Sequence, residues 1–327
     1  MANLLRNTLE QFPGKNVIVW GDIILDEYIY TSTTRISREA PVLVTEFESN
    51  DFKLGGAGNV VMNIKSLGAN PVPVCFIGSD ADSNVLKNIL SENQIQTDFL
   101  IDLEHYRTPK KSRILSGAEN TKKQQVLRID TVNKQAIPKA GYNEIENSLL
   151  ELLETFDLLV VSDYLYQTAQ PAILNSIRNR FPLKLIVVDS RNHLLNFKNI
   201  SLATPNEPEL KKIFPGISFN EENDYIQAGT DLMKRMDASS ILLKRGSKGM
   251  MTFEKNVQAQ SINIYGVKDI VDGTGAGDTV IAVTSLASLA GADLITSAKL
   301  ASMAAGMVVM KEGAYPIGYQ EFLDALA

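Results

Sequence analysis

The sequence predicts an α/β fold: a three-layer sandwich around a mainly parallel central sheet, plus a small inserted β-sheet that acts as a lid. Three observations lead there. Short, near-continuous apolar runs recur along the chain, stretches of helical period separate several of them, and two further stretches are strand-like with no helix between their pieces. The first apolar run is residues 17–20, and residues 28–52 follow as the first helix-free stretch, with a strand at 42–47. Residues 59–67 have helical period and lead into the apolar run 72–77, after which 110–130 is the second helix-free stretch, with strands at 112–116 and 125–129. Alternation then resumes. Helices are expected at 141–156, 169–180, 221–236, 276–289 and 295–310, and strands at 158–161, 185–188 and 241–243. Apolar strands without alternation belong in a parallel sheet covered on both faces. The two helix-free stretches are expected to pair as a lid over the carboxyl ends of the main strands, where ligands bind in this architecture. One domain covering residues 1–327 is expected.

Composition narrows the function. With 44% hydrophobic and 21% charged side chains the chain is globular, which excludes a disordered or fibrous role. Its 32 basic and 38 acidic residues give a net charge of −6, so nucleic acid is not an expected partner and any basic site for a phosphate must be local. Cys75 is the only cysteine, and the chain has two histidines, His105 and His193. No internal disulfide and no thiolate or imidazole cage can form, so a metal must be held by oxygen. Cys75 lies in the apolar run 72–77 and reads as a small buried hydrophobe without chemistry. Residues 1–10 lack the apolar stretch of a signal peptide, and no run of ~20 apolar residues offers a membrane span. A cytoplasmic protein with no membrane partner is expected.

The segment Asp272-Gly273-Thr274-Gly275-Ala276-Gly277-Asp278 sets three glycines at the start of the helix expected at 276–289. Unpaired N–H groups and the positive end of the peptide dipoles make a helix start an anion cradle, and glycines let an oxyanion approach it. A carboxylate inside such a cradle repels the anion unless it has a task, and accepting a proton from an attacking hydroxyl supplies one. Asp278 is the candidate base, with Gly275, Ala276 and Gly277 as its amide donors. The spacing is G-x-G-x-G, not the dinucleotide G-x-G-x-x-G, and no Gly-Lys-Ser/Thr follows as in a P-loop. A second cluster, Gly55-Gly56-Ala57-Gly58-Asn59, opens the helix expected at 59–67, and Gly55, Gly56 and Asn59 suit a polyhydroxylated ligand. After the first strand, Asp22 is placed to grip two sugar hydroxyls or to cap a turn, and for Asp26 the turn reading is the stronger.

Together these segments resemble the signatures of the ribokinase-like (PfkB) carbohydrate kinases over nearly the whole chain. The resemblance implies ATP and Mg²⁺ as cofactors. It aligns Asn206 and Glu209 of Thr204-Pro205-Asn206-Glu207-Pro208-Glu209 with an N-x-x-E element that organises the water shell of the Mg²⁺, so Glu209 would reach the metal through water. It assigns Lys244, Gly246 and Gly249, with Asp272 and Thr274, to the nucleotide. Residues 35–42, Lys111-Ser112-Arg113 and 124–130 are similar to the bacterial heptose 7-phosphate kinases, which phosphorylate the anomeric hydroxyl of D-glycero-D-manno-heptose 7-phosphate. Lys111, Arg113 and Arg128 would then hold the phosphate the substrate already carries; otherwise they are solvated charges on a strand face.

The chain departs from that subfamily at three places. Asp163-Tyr164-Leu165-Tyr166-Gln167 stands where Asp-Tyr-x-Lys-Gly is usual, Asp189-Ser190-Arg191-Asn192 replaces Asp-Pro-Lys-Gly, and the hairpin 117–123 is longer. Another sugar, sugar phosphate or nucleoside therefore stays open as the substrate, as does a non-catalytic sugar-binding or regulatory role. No H-x-G-H nucleotidyltransferase signature is present, so phosphoryl transfer alone is expected. The lid's strand edges suggest a homodimer.

Overall fold

A computed structural model describes residues 2–118, 122–266, 271–311 and 313–326. Helix α1 (Ala2–Leu9) precedes β1 (Asn16–Gly21), β2 (Ile23–Ile36), β3 (Leu43–Gly56), α2 (Ala57–Ser66), β4 (Asn70–Gly78), α3 (Ala81–Glu92) and β5 (Leu100–Leu103). Next come β6 (Lys110–Gly117), β7 (Gln124–Thr131), α4 (Lys139–Leu153), β8 (Leu158–Asp163), α5 (Pro171–Arg180), β9 (Leu185–Ser190), β10 (Leu202–Ala203), α6 (Glu207–Ile213) and α7 (Glu222–Met236). The chain closes with β11 (Ser240–Lys244), β12 (Met250–Glu254), β13 (Val257–Ile262), α8 (Ala276–Leu289), α9 (Leu294–Val308) and α10 (Tyr319–Asp324).

The large sheet has the order β13-β12-β11-β10-β9-β8-β1-β4-β5. It is parallel from β5 to β11, and the hairpin β12–β13 adds two antiparallel strands at one edge. Its apolar runs are continuous because both faces are covered. Val17, Val19, Leu158 and Val160 point into a core built with α2, α8 and α9, while Ile18, Trp20, Leu159 and Val161 point into one built with α4, α5 and α7. Chain order reverses beside β1, which takes β4 on one side and β8 on the other, and such a switch point opens a crevice at the carboxyl ends of the strands.

The small sheet, β3-β2-β6-β7, confirms the lid, with strands longer than expected. Gly55 and Gly56 belong to β3, paired with Ile24 and Ile23, so the second glycine cluster ends a strand as well as opening a helix. Register puts Asp26 beside Lys111 and Lys111 beside Asp130, and in the next row of the same face Tyr28 beside Arg113 and Arg113 beside Arg128. Side chains alternate along strands, so Ile29, Ile114, Leu127 and Ile129 lie on the opposite face, together with the hydrogen-bonded pair Glu27 and Ser112. Of the hairpin 117–123, residues 119–121 lie outside the described residues.

Several elements were not expected: α1, α3, α6, α10, β5, β10 and the β12–β13 hairpin. Helix α3 nevertheless carries a clear start signal, since Asp80 and Ser83 form a reciprocal capping box. Cys75 lies on β4 with no exposed surface, and burial pushes its thiol far above the usual range.

Candidate active site

A cavity of about 430 Å³ opens at the carboxyl ends of β8, β9 and β11, beneath the polar face of the small sheet. It brings together thirteen of the residues singled out in the sequence: Gly55, Gly56, Asn59, Lys111, Arg113, Arg128, Asn206, Glu209, Lys244, Thr274, Gly275, Gly277 and Asp278. A second cavity of about 270 Å³ shares Lys244 and Gly277 and adds Gly246, Gly249 and Ala276, with Met250, Ile264, Val280 and Val309 as its apolar walls. The first is polar and charged. The second has the apolar surface that a flat heteroaromatic ring requires.

Asp278 lies in the first turn of α8 and is 5% exposed. Tyr164 Oη donates to its Oδ1 at 2.6 Å and Asn59 Nδ2 donates to its Oδ2 at 2.8 Å. Asn59 is oriented in turn. Asn63 Nδ2 donates to the Asn59 carbonyl and, more weakly at 3.3 Å, to Asn59 Oδ1, while Thr279 Oγ1 donates to Asn63 Oδ1. This buried chain joins α2 to α8 and turns the donor end of the Asn59 amide toward the carboxylate. Burial pushes the Asp278 carboxyl up to about 6; its two donors pull against that shift, Asp189 adds to it and Lys244 opposes it. A carboxyl tuned near neutrality is suited to accept a proton from a hydroxyl.

The glycines before Asp278 have steric reasons. Gly275 holds φ +83°, and a Cβ there would come within 2.6 Å of Asn59 Nδ2. Among the described residues no backbone carbonyl takes the N–H of Gly275 or Gly277, and that of Ala276 makes only a long contact of 3.4 Å with the Gly273 carbonyl. The cradle thus offers donors at the helix start, beside a buried carboxylate.

Three sequence expectations are corrected. Asp22 does not line the cavity; it is 1% exposed, and its carboxylate accepts from the backbone N–H groups of Tyr164, Tyr166 and Thr168 at 2.8–3.0 Å. Positive φ at Leu165 and Gln167 turns those alternate amides toward it. With both oxygens accepting from main chain it anchors the loop 164–168. The cavity carboxylate from this region is Asp26, read as a turn residue but placed on β2 facing Gly55, where a Cβ would meet its Oδ2 at 2.3 Å. Asp272 likewise faces main chain, accepting from the N–H of Thr274 and of Gly313, so it braces the glycine loop and lines neither cavity.

Residues that sequence reasoning missed complete the wall. Tyr164 and Arg191 come from the two segments flagged as departures, and the Arg191 guanidinium lies 4.4 Å from the Tyr164 ring centroid, with Lys111 Nζ at 5.7 Å. Arg113 donates to Asp26 at 2.7 Å, and Arg128 pairs with Asp130 at 2.8 Å. Burial lowers the Lys111 ammonium from its ordinary range; nearby Asp26 opposes this, and Arg191 and Arg113 reinforce it. Lys111 and Arg191, which repel each other beside the Tyr164 ring, would be relieved by an incoming anion.

On the opposite wall, Lys244 Nζ sits 3.1 Å from both oxygens of Asp189. Asn206 caps α6 in a reciprocal box with Glu209: Glu209 N–H donates to Asn206 Oδ1, and Asn206 N–H donates to Glu209 Oε2. Burial, reinforced by Asp189, pushes Glu209 up to about 7. Among the described residues no cluster of three or more His, Cys, Asp or Glu side chains could cage a metal. Both Glu209 oxygens accept from Asn206 and both Asp189 oxygens from Lys244, so these carboxylates could meet an ion such as Mg²⁺ only through its water shell.

Comparison with known proteins gives this geometry a context. Residues 15–319 match the model of the pfkB family carbohydrate kinases. The chain is 36% identical over 318 residues to the bifunctional protein HldE of Citrifermentans bemidjiense and 31% identical over 332 residues to that of Koribacter versatilis. These matches cover 96% and 100% of this chain but 64% and 66% of those proteins, so it spans about two thirds of their length. In fold it is similar to phosphofructokinase-2 from Escherichia coli, with a TM-score of 0.75, 18% identity and coverage of 96% of this chain and 99% of that one. The ribokinase of Arabidopsis thaliana, solved with ribose and ATP, gives a TM-score of 0.71 at 18% identity, covering 96% and 98%. A family match over most of the length, on a fold that sets a near-neutral aspartate at a helix-start amide cradle, establishes that the chain belongs to the pfkB family of carbohydrate kinases.

Proposed function

We propose that this carbohydrate kinase transfers the γ-phosphate of ATP to the anomeric hydroxyl of D-glycero-D-manno-heptose 7-phosphate. One observation carries the reading: the cavity holds a buried carboxylate at the amide cradle and, beneath the small sheet, the cations Lys111, Arg113, Arg128 and Arg191. Arg113 and Arg128 are paired with Asp26 and Asp130, while Lys111 and Arg191 lie together beside the Tyr164 ring, and a neutral sugar has no use for that pair of cations whereas a sugar phosphate does. The similarity to HldE proteins favours a heptose.

In this reading the adenine enters the apolar cavity, and the phosphates run past Lys244 toward the amides of Gly275, Ala276 and Gly277. Asp278 takes the proton of the attacking hydroxyl as the sugar oxygen bonds to the γ-phosphorus, the bond to the bridging oxygen breaks and ADP leaves. Positioning and amide donors supply most of the catalysis because the transition state is loose. Glu209 would help hold the water shell of a bound Mg²⁺, which would supply screening of phosphate charge. Lys111, Arg113 and Arg128 hold the substrate's own phosphate.

The reading is tested by a product-resolved assay with ATP, Mg²⁺ and heptose 7-phosphate, which should yield the 1,7-bisphosphate. Phosphorylation at another position, or faster turnover of another sugar, sugar phosphate or nucleoside in the same panel, would replace the substrate while leaving the reaction. Asp278→Asn should lower kcat by roughly 10²-fold or more with ATP affinity little changed, and near-normal turnover would refute its role as base. A homodimer formed through the small sheet, working in the cytoplasm, belongs to the same proposal.

A further inference from the structure

We propose that Tyr164 is the positioning residue of the base: its hydroxyl holds the Asp278 carboxylate in register, and its ring links that carboxylate to the cations of the substrate end. This rests on Asp278 being the base. The Tyr164 Oη to Asp278 Oδ1 distance of 2.6 Å is short, as expected for a hydrogen bond to an ionised oxygen. With Asn59 on Oδ2, both oxygens are held and the plane of the carboxylate is fixed. Each oxygen keeps a lone pair for the incoming hydroxyl.

Tyr164 remains a donor. Burial and then the Asp278 charge push its hydroxyl well above the usual range, so it does not ionise in competition with Asp278. It is braced at three points: its N–H is held by Asp22, its hydroxyl by Asp278, and its ring lies beside Arg191 and Lys111. An anionic group drawn to Lys111 and Arg191 therefore bears on the same ring whose hydroxyl aims the base, which favours a phosphorylated substrate over its neutral analogue in turnover as well as in binding.

The charged groups acting on Asp278 from neighbouring elements are Asp189 on β9 and Lys244 on β11, and they are paired with each other. Neither is altered by removing the Tyr164 hydroxyl. Loss of a donor to the ionised form must raise the Asp278 midpoint.

The test is Tyr164→Phe, which keeps the ring. In a carbon-13 titration of the ligand-free protein, with the Asp278 signal assigned by its absence in Asp278→Asn, the midpoint should rise by about one pH unit. The acid limb of the kcat profile should move by the same interval, kcat at neutral pH should fall several-fold, and KM for the sugar phosphate should stay close to wild type because the cations remain. Placing 3-fluorotyrosine at position 164, a stronger donor of nearly the same shape, should move the midpoint down, which keeps the test decisive even if the Phe variant misfolds. An unmoved midpoint in both variants overturns the inference. Full turnover by Asp278→Asn overturns instead the reading on which it rests, so the two failures are distinguishable.

Discussion

Asp278 is kept where a carboxylate is unwelcome, and the protein's stability should record that. An aspartate that titrates near 3.8 unfolded and at about 6 folded binds its proton more tightly in the native state. Between those values the unfolded chain ionises first, so the penalty on the folded state grows with pH and levels off above about 6. Asparagine removes the charge while still accepting from Asn59 and donating to the Tyr164 oxygen. Asp278→Asn should therefore be more stable than wild type at pH 7 to 8, by roughly 1–3 kcal/mol, with the gain vanishing toward pH 4. Urea unfolding across that range checks it, and a gain that does not change with pH would mean that charge burial is not its cause.

At the scale of elements, the crevice is organised by residues at or just past the ends of the parallel strands: Asp22 after β1, residues 164–168 after β8, Arg191 after β9, Asn206 after β10, and Lys244 closing β11. The first two are locked together. Asp22→Ala would leave one buried and two part-buried N–H groups without their acceptor and free Tyr164, lowering the unfolding free energy by about 3 kcal/mol and reducing kcat together with it. Denaturant melts and assays on one preparation would show this, and a stable variant with normal kcat would deny the anchoring role. This region also marks where the sequence stops being legible. Doubly buried strands and the glycine-opened helix α8 announce themselves, because apolar runs and glycine spacing report local requirements. Asp22 and Asp26 do not. Each is an aspartate near a strand end, and what separates them is the distant loop of residues 164–168, whose amides claim one and leave the other on the cavity wall. Tyr164 keeps the tyrosine of the usual Asp-Tyr-x-Lys-Gly and Arg191 stands where Asp-Pro-Lys-Gly has its lysine, so neither is singled out by its own segment; their role comes from a contact between segments 27 residues apart. The short strand β5 and helix α6 are too brief to show a period at all.

Across the whole molecule a net charge of −6 coexists with one face of a four-stranded sheet that gathers Lys111, Arg113 and Arg128. The opposite face of that sheet carries an apolar patch beside Glu27 and Ser112. Leu127 is 55% exposed and Ile129 53%, and Phe47 on the other edge strand, β3, is 66% exposed. Apolar side chains gathered on one face of a sheet are costly in water and mark a surface that is covered in use. A second copy offers the same surface, self-complementary about a two-fold axis, as the commonest oligomers require. The proposed dimer would press on strand β7, whose alternate residues Arg128 and Asp130 face the cavity, so assembly and substrate binding share one element. Leu127→Glu combined with Ile129→Glu places like charges on the apolar patch while leaving every cavity residue in place. By sedimentation equilibrium the wild type should be a dimer and the double variant a monomer, and the variant's KM for the sugar phosphate should rise more than its kcat falls, because β7 loses its support. A wild-type monomer at assay concentrations, or a double variant that still dimerises, would assign this face to something other than a second copy.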